Sequence, residues 1–272
     1  MKPHGQLLTE DSNQLFLKLA YPSGEDRSYV DYYFEIHQPH GTLPFYINGL
    51  PSSNSLLSFN LNNQKWESFN AGAEKQIVHS GAQFLGHTSV LHTGIYPAGM
   101  HVFFVKLKPG IASLLFQEEA RGFENEQVDL GYLWKHNFLD EQIKECAGFE
   151  QRIGIFKNVL MIRNIPSVQM EKIGRLNRMI SSFSSLQLKD EKGINPICKA
   201  NWITYPSARR DFIKYIGHPP KYCQKIARFK NALKEYKRAG FHFYYEDFGY
   251  TDFSHFAKES KQLTGLTPSS LL

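Results

Sequence analysis

Asp252, Ser254 and His255 fall within four positions in the stretch GYTDFSHF, and acid, hydroxyl and imidazole are the side chains of a hydrolytic triad. A triad needs its three groups in one hydrogen-bonded line. The run FSHFAKESKQL reads as helix, and on a helix positions i, i+2 and i+3 point to about 0°, 200° and 300° around the axis. No such line forms. Asp252 has a simpler use, because a carboxylate at a helix start accepts from the free backbone N–H groups of residues 254 and 255. His255 is then expected to hydrogen-bond within its own domain. No residue is assigned a catalytic role, and the chain is not read as an enzyme.

His87, His92 and His101 offer a second chemistry, since three imidazoles in a β-barrel can hold a metal ion. Their spacings of five and nine mix the two faces of a strand, and no tight H-x-H followed by Glu accompanies them. Structural or surface histidines are the expectation, with no metal and no cofactor. Glu35 and His37 share a strand face, but nothing else is expected to converge on them. A third chemistry belongs to Arg209 and Arg210 in YPSARRDF, whose guanidinium forks fit a guanine edge or a phosphate.

The elements that must carry these groups fall into two kinds. Up to residue 110 the chain offers short β-branched or aromatic runs (DYYFEI, LPFYING, SLLSFNLN, KQIVHSG, FLGHTSVLHTGI, HVFFVKLKPG) separated by Gly, Pro, Asn and Ser, which predicts an all-β sandwich or barrel. In the last run Phe103, Val105 and Leu107 point one way and Val102, Phe104 and Lys106 the other. Helical spacing then takes over. Leu130, Leu133, Trp134, Phe138 and Ile143 form a loose stripe, and Phe149, Ile153, Phe156 and Leu160 a regular one. These helices serve either as a linker or dimer face, or as a cover for an open side of the sheet.

From residue 166 onward the chain reads as helical. Met170, Ile173, Leu176 and Ile180 share a stripe, followed by a loop, SSFSSLQLKDEKG. Asn195 is read as the N-cap of a short helix with Pro196 at its first position, and Thr204 as the cap of the next. A long helix, PPKYCQKIARFKNALKEYKRAG, keeps Tyr222, Ile226, Phe229, Leu233 and Tyr236 on one side and stops at Gly240. A short helix near residues 242–248, a turn at Gly249 and a last helix from Phe253 to Leu263 complete the reading. Short helix, tight turn and second helix thus occur twice, with endings at Gly217/Pro220 and Gly265/Pro268 that are both offset by 48 positions.

Charge follows the same division. Residues 1–165 hold 13 Lys+Arg and 17 Asp+Glu, a net −4, whereas residues 166–272 hold 18 and 9, a net +9. A basic module behind an acidic one fits a polyanionic partner. No apolar run is long enough to span a bilayer. The segment MKPHGQLLTEDSNQ lacks the apolar core of a secretory signal. Cys146, Cys198 and Cys223 show no C-x-x-C pair and are expected as buried reduced thiols in a cytoplasmic protein.

The motifs of the last third resemble those of the AraC/XylS family of bacterial transcription regulators. GHPPKYCQKIARFKNAL is similar to the family's joint between its two helix-turn-helix motifs, and FGYTDFSHFAKESKQLTGLTP to its second signature. The resemblance covers about residues 166–272. More weakly, residues 12–160 resemble the cupin-like N-terminal domain of a subset of the family, through LPFYINGLPSSNSLLSFNL, FLGHTSV and VKLKPGIASLLF. The chain departs from the family at Trp202, where a turn glycine is usual, at Tyr245, usually small, and at Ser260, usually aromatic. Altered packing is expected in both motifs.

The resemblance implies a sequence-specific regulator with a cupin-like β-domain over 1–125, a helical linker over 126–165 and a double helix-turn-helix domain over 166–272. Such motifs place the start of their second helix in the major groove. In the first copy Tyr205, Pro206, Arg209 and Arg210 are candidates to face outward. The resemblance puts base contacts on Pro206, Arg209 and Arg210, and in the second copy on Phe253, Ser254, Ala257 and Lys258. Lys214, Lys221 and Lys261 are expected to contact phosphate or simply aid solubility. A 19-residue connecting helix would span about 28 Å at about 1.5 Å per residue, against about 34 Å between successive major-groove faces. Double-stranded DNA is the expected partner. The reading leaves room for a small-molecule effector, a homodimer and contact with RNA polymerase, and none for a membrane. The alternatives are a protein-interaction module with degraded motifs and a cupin-type metal enzyme.

Overall fold

The computed structural model of the chain describes residues 16–72, 76–134, 138–163, 165–184 and 193–272. The whole N-terminal stretch read for a signal, and residues 185–192 of the expected loop, lie outside these.

Strand β9 (His101–Leu107) shows why the first half folds as it does. Its Phe103, Val105 and Leu107 enter one apolar cluster, while Val102 and Phe104 enter another on the opposite face. A strand buried on both faces must lie in the middle of a sandwich, and β9 is flanked by β2 (Val30–His37) and β4 (Ser55–Asn60). The larger sheet has the order β1-β2-β9-β4-β7-β10, with β1 Phe16–Ala20, β7 Ala82–Leu85 and β10 Gln127–Asp129. The smaller runs β3-β8-β5-β6, with β3 Phe45–Gly49, β5 Trp66–Asn70, β6 Ile77–His79 and β8 His92–Tyr96. All the pairings are antiparallel. The expected β-sandwich is therefore present. It draws its last strand from beyond residue 125.

Helices α1 (Ile111–Phe116), α2 (Leu130–Leu133), α3 (Leu139–Glu145) and α4 (Phe149–Met161) follow. The regular stripe on α4 lies against the outer face of the large sheet, where Phe156 meets the rings of Tyr33 and Phe59, and Phe149 meets Phe103. Of the two roles open to these helices, covering the sheet is the one the structure displays. Phe138, expected on the earlier stripe, is exposed. Phe156 is fully buried among aromatic neighbours, so truncating it to Ala would remove about 3–5 kcal/mol.

The sheet also receives a tie that sequence spacing hid. Glu35, buried on β2, accepts from Arg152 Nη1 of α4 at 2.7 Å and contacts His101 Nε2 at 3.0 Å and Lys18 Nζ at 3.4 Å. The expectation that nothing converges on Glu35 was wrong, because Arg152 is 117 positions away in sequence. Burial by itself would raise the Glu35 carboxyl. The His101 hydrogen bond and the charges of Arg152, His101 and Lys18 outweigh it and hold the group below its ordinary range.

The second half is helical: α5 (Ser167–Ser184), α6 (Asn195–Ala200), α7 (Tyr205–Ile216), α8 (Pro220–Ala239) and α9 (Phe253–Thr264). Helix α5 runs through SSFS, so the expected loop begins later than its serines suggested. The short helix anticipated near residues 242–248 is instead two 3-10 turns, Gly240–His242 and Tyr245–Phe248. The aromatic run FHFYYEDF has poor helix propensity, which favours such turns. Apolar packing does not stop at the domain boundary. One cluster joins Val105, Leu107 and Ile111 of the β-half to Ile173, Leu176, Phe212 and Ile216 of the helical half. Among the described residues no helix is long and apolar enough to cross a membrane. All three cysteines are unpaired, with Cys198 and Cys223 buried and Cys146, against expectation, half-buried.

Candidate nucleic-acid interface and the seam behind it

Both candidate recognition helices begin at a side-chain cap. Thr204 Oγ1 accepts from Ser207 N at 3.4 Å to start α7, and Asp252 Oδ1 accepts from His255 N at 2.7 Å to start α9. His255 Nδ1 lies 3.4 Å from Thr251 Oγ1, and its ring stands edge-on to Tyr250, so Asp252, Ser254 and His255 form no catalytic line. Asn195 does not cap α6. Ile194 already has helical backbone angles and is buried, so the chain turns into the helix one residue early and Asn195 becomes its first residue.

Helix α7 buries Ala208, Phe212, Tyr215 and Ile216 and exposes Pro206, Arg209, Arg210 and Lys214 on its other side. Arg210 Nε is 4.0 Å from Asp211 Oδ1, and Lys214 Nζ sits 5.4 Å from the Tyr215 ring centroid. Tyr205 is half-buried and packs on the core, so of the first-copy candidates it has the least to offer a ligand. Helix α9 buries Phe256, Glu259, Ser260, Leu263 and Thr264. It exposes Phe253, Ser254, Lys258 and Lys261, with Ala257 half-buried. Lys221 is exposed at the start of α8.

The three departures from the family pattern have distinct physical outcomes. Trp202 closes α6 in a left-handed conformation, φ 53°, with its side chain 93% exposed. Ile203 N reaches Cys198 O and Trp202 N reaches Lys199 O, each at 3.1 Å, which is the paired closure that normally uses glycine. The indole thus swings outward, and the turn survives. Ser260 is fully buried, and its hydroxyl donates to Leu266 O at 2.8 Å. Beside it Glu259 accepts from Tyr250 OH at 2.7 Å and pairs with Arg228 of α8. A polar seat therefore holds α9 where an aromatic would have filled space. Tyr245 is half-buried and packs on the second helical cluster.

Behind α7 and α8 lies the β-domain. Ser113 Oγ donates to Tyr215 O at 3.2 Å, Asn177 Nδ2 to Pro109 O at 3.0 Å, and Tyr222 OH to Ser89 O at 3.1 Å. Leu50 and Leu91 of the β-domain loops join Ile226, Phe229 and Phe256 in the second helical cluster. A cavity of about 80 Å³ opens between the two sheets, bordered by Leu50, Trp66, Tyr96, Phe104, Lys106 and Asn125. Lys106 is only 4% exposed, and its Nζ donates to Tyr32 OH at 3.1 Å. Burial lowers its pKa, with Asp31 pulling the other way. Lys230 of α8 is pushed down to about 7, by burial first and then by the charge of Lys106.

His92 contacts Asn70 Oδ1 at 3.0 Å in this cavity, and His101 is engaged by Glu35, so His87, His92 and His101 do not converge. His87 instead meets His218, which follows the α7 cap, with ring centroids 5.0 Å apart. Sequence proximity grouped the wrong histidines; the true neighbour is 131 positions away.

No protein-family model matches the chain, and no curated protein matches it. Among solved structures the chain is similar to ToxT from Vibrio cholerae at 10% identity, with a TM-score of 0.44 over 95% of this chain and 98% of that one. A second structure, unsaturated fatty acid-bound wild-type ToxT from Vibrio cholerae strain SCE256, is similar at 12% identity, with a TM-score of 0.41 over 96% of each chain. The AraC-like transcriptional activator CuxR follows at 11% identity and a TM-score of 0.34, over 72% of this chain and 79% of that one.

Proposed function

We propose that the protein is a sequence-specific DNA-binding transcription regulator and not an enzyme, with α7 and α9 as its two recognition helices. One observation carries the reading: each of these capped helices buries an apolar or satisfied face and presents basic and small polar residues at its free N-terminal half. Residues 166–272 form the DNA-binding part and 1–125 the sensing or oligomerising part, while 126–165 supply a last strand and the helices that cover its sheet. Pro206, Arg209, Arg210, Phe253, Ser254, Ala257 and Lys258 contact bases, while Lys214, Lys221 and Lys261 contact phosphate. Helix α8, 20 residues long, spaces the two by about 30 Å, close to one helical repeat of about 34 Å. A cytoplasmic location, homodimerisation and contact with RNA polymerase belong to the same reading.

The effector is a small amphipathic carboxylate. Lys106 lines the apolar cavity and its charge reaches Lys230; Asp31 is the carboxylate that acts on both, and a ligand anion would add to it in stabilising the two ammonium groups. The loops around that cavity touch α8 and its cluster directly, so filling it shifts the seat of the DNA-binding half.

Selection from a random DNA pool, followed by affinity against salt, tests the proposal. Six or more phosphate contacts give a log–log slope of about −5. Arg209→Ala and Lys258→Ala are each expected to weaken the selected site. A flat salt response with no enriched sequence would overturn the reading and leave a protein-interaction module.

A further inference from the structure

We propose that His87, Glu124 and His218 form a binding site for a first-row divalent cation of the zinc type, one that clasps the β-domain to the α7–α8 joint. The three residues come from separate segments: the connection after β7, the turn following the 3-10 helix Ala120–Phe123, and the joint just beyond Gly217. One donor atom from each lies within 4.8 Å of the others. Both imidazoles are almost fully buried, and the Nε2 atom of each has no hydrogen-bond partner. Two buried ring nitrogens without a hydrogen bond, His218 Nε2 standing 3.8 Å from Glu124 Oε1, are costly as they stand, because a desolvated polar atom left without one forfeits about 1–3 kcal/mol.

The donor set fits the chemistry. Two imidazoles and one carboxylate, with a fourth position for water, match the preferences of zinc and its neighbours and suit magnesium or calcium poorly. Burial, with His218 beside it, pushes His87 down to about 4, against the pull of Glu124. Burial lowers His218 as well; Glu124 pulls against that shift and Arg121 adds to it. Arg121 is a nearby cation that opposes a metal. Two nitrogens bound tetrahedrally at about 2.0–2.1 Å stand about 3.3 Å apart, so closure asks for side-chain movement of an ångström or so. Gly217 makes the approach feasible: at φ 88° it caps α7, and any Cβ there would sit 2.6 Å from His87 Nε2.

The metal draws His218 toward the β-domain and so holds the α7–α8 joint against it. The site stands whether or not the chain reads DNA.

Titration of the full-length protein with zinc against a competing chromogenic chelator tests it, with magnesium as a control. One tight equivalent is expected. His87→Gln, Glu124→Gln and His218→Gln should each lower zinc affinity by about 100-fold or more, since even outer partners of a metal site are worth about 10–100-fold. His37→Gln should leave it unchanged. Should a variant fail to fold, hydrogen exchange of the wild-type chain decides: zinc must slow exchange at residues 86–88, 123–125 and 217–219 together. Zinc binding that survives His218→Gln, protection confined to other segments, or no tight equivalent at all would overturn the proposal.

Discussion

Replacing Trp202 by glycine should stabilise the protein, although it removes one of three tryptophans. Trp202 is 93% exposed, so its ring contributes almost no burial to lose. Its backbone is held at φ 53° by the two hydrogen bonds that close α6. An L-residue in that conformation forfeits about 1–2 kcal/mol, which glycine recovers. Glycine also makes the unfolded chain freer, at a cost of about 0.4–1 kcal/mol. The balance is a gain of about 0.5–1 kcal/mol, or about 1–3 °C in Tm for a chain of this size. Trp202→Ala separates the two effects, since alanine keeps the left-handed strain and should fall within about 0.5 kcal/mol of the wild type. Far-UV circular dichroism is the right readout, because the substitution alters the fluorescence. If glycine proves no better than alanine, backbone strain is not what distinguishes this turn. If both variants are clearly less stable than the wild type, the indole makes contacts that its exposure denies.

Arg152→Ala should destabilise the chain by about 3–5 kcal/mol, because it strands the buried Glu35 carboxylate; urea denaturation measures the loss, and a change below 1 kcal/mol would refute the central role of that pair. Lys230, with a folded pKa of about 7 against about 10.4 unfolded, has released a proton above pH 7 that the unfolded chain still holds. Its contribution to stability therefore rises with pH between those values. A bound carboxylate needs the ammonium form, so octanoate affinity should decline from pH 6 to pH 9, and Lys230→Met should flatten that decline; an unchanged profile would remove Lys230 from the effector site.

What was readable in the sequence is what local chemistry decides. Gly217, Gly240 and Gly265 ended their helices where expected, Thr204 and Asp252 capped theirs, and the alternation in HVFFVKL matched a strand buried on both faces. The misreadings have physical causes of two kinds. Asn195 was misjudged because packing overrode its capping preference, with buried Ile194 setting the start of α6, and the 242–248 segment because its aromatic run has poor helix propensity and settles into 3-10 turns. Glu35–Arg152 and His87–His218 were invisible because no spacing rule links residues more than 100 positions apart.

The His87–His218 pair also marks where one half of the molecule meets the other. Helix α7 does double service, since its outer face carries Arg209 and Arg210 while its inner face, through Tyr215, Ile216 and the joint at Gly217, packs directly on the β-domain. The apolar cluster is continuous across this seam. On the two proposals above, a ligand that reshapes the cavity loops would displace groups touching α8, and a cation at His218 would tighten the joint between α7 and α8. Both would act on how α7 and α9 are set relative to each other, since α8 joins them over about 30 Å. Control by effector or metal is thus a question of how the seam sets the spacing of α7 and α9, whatever the fold of each motif alone.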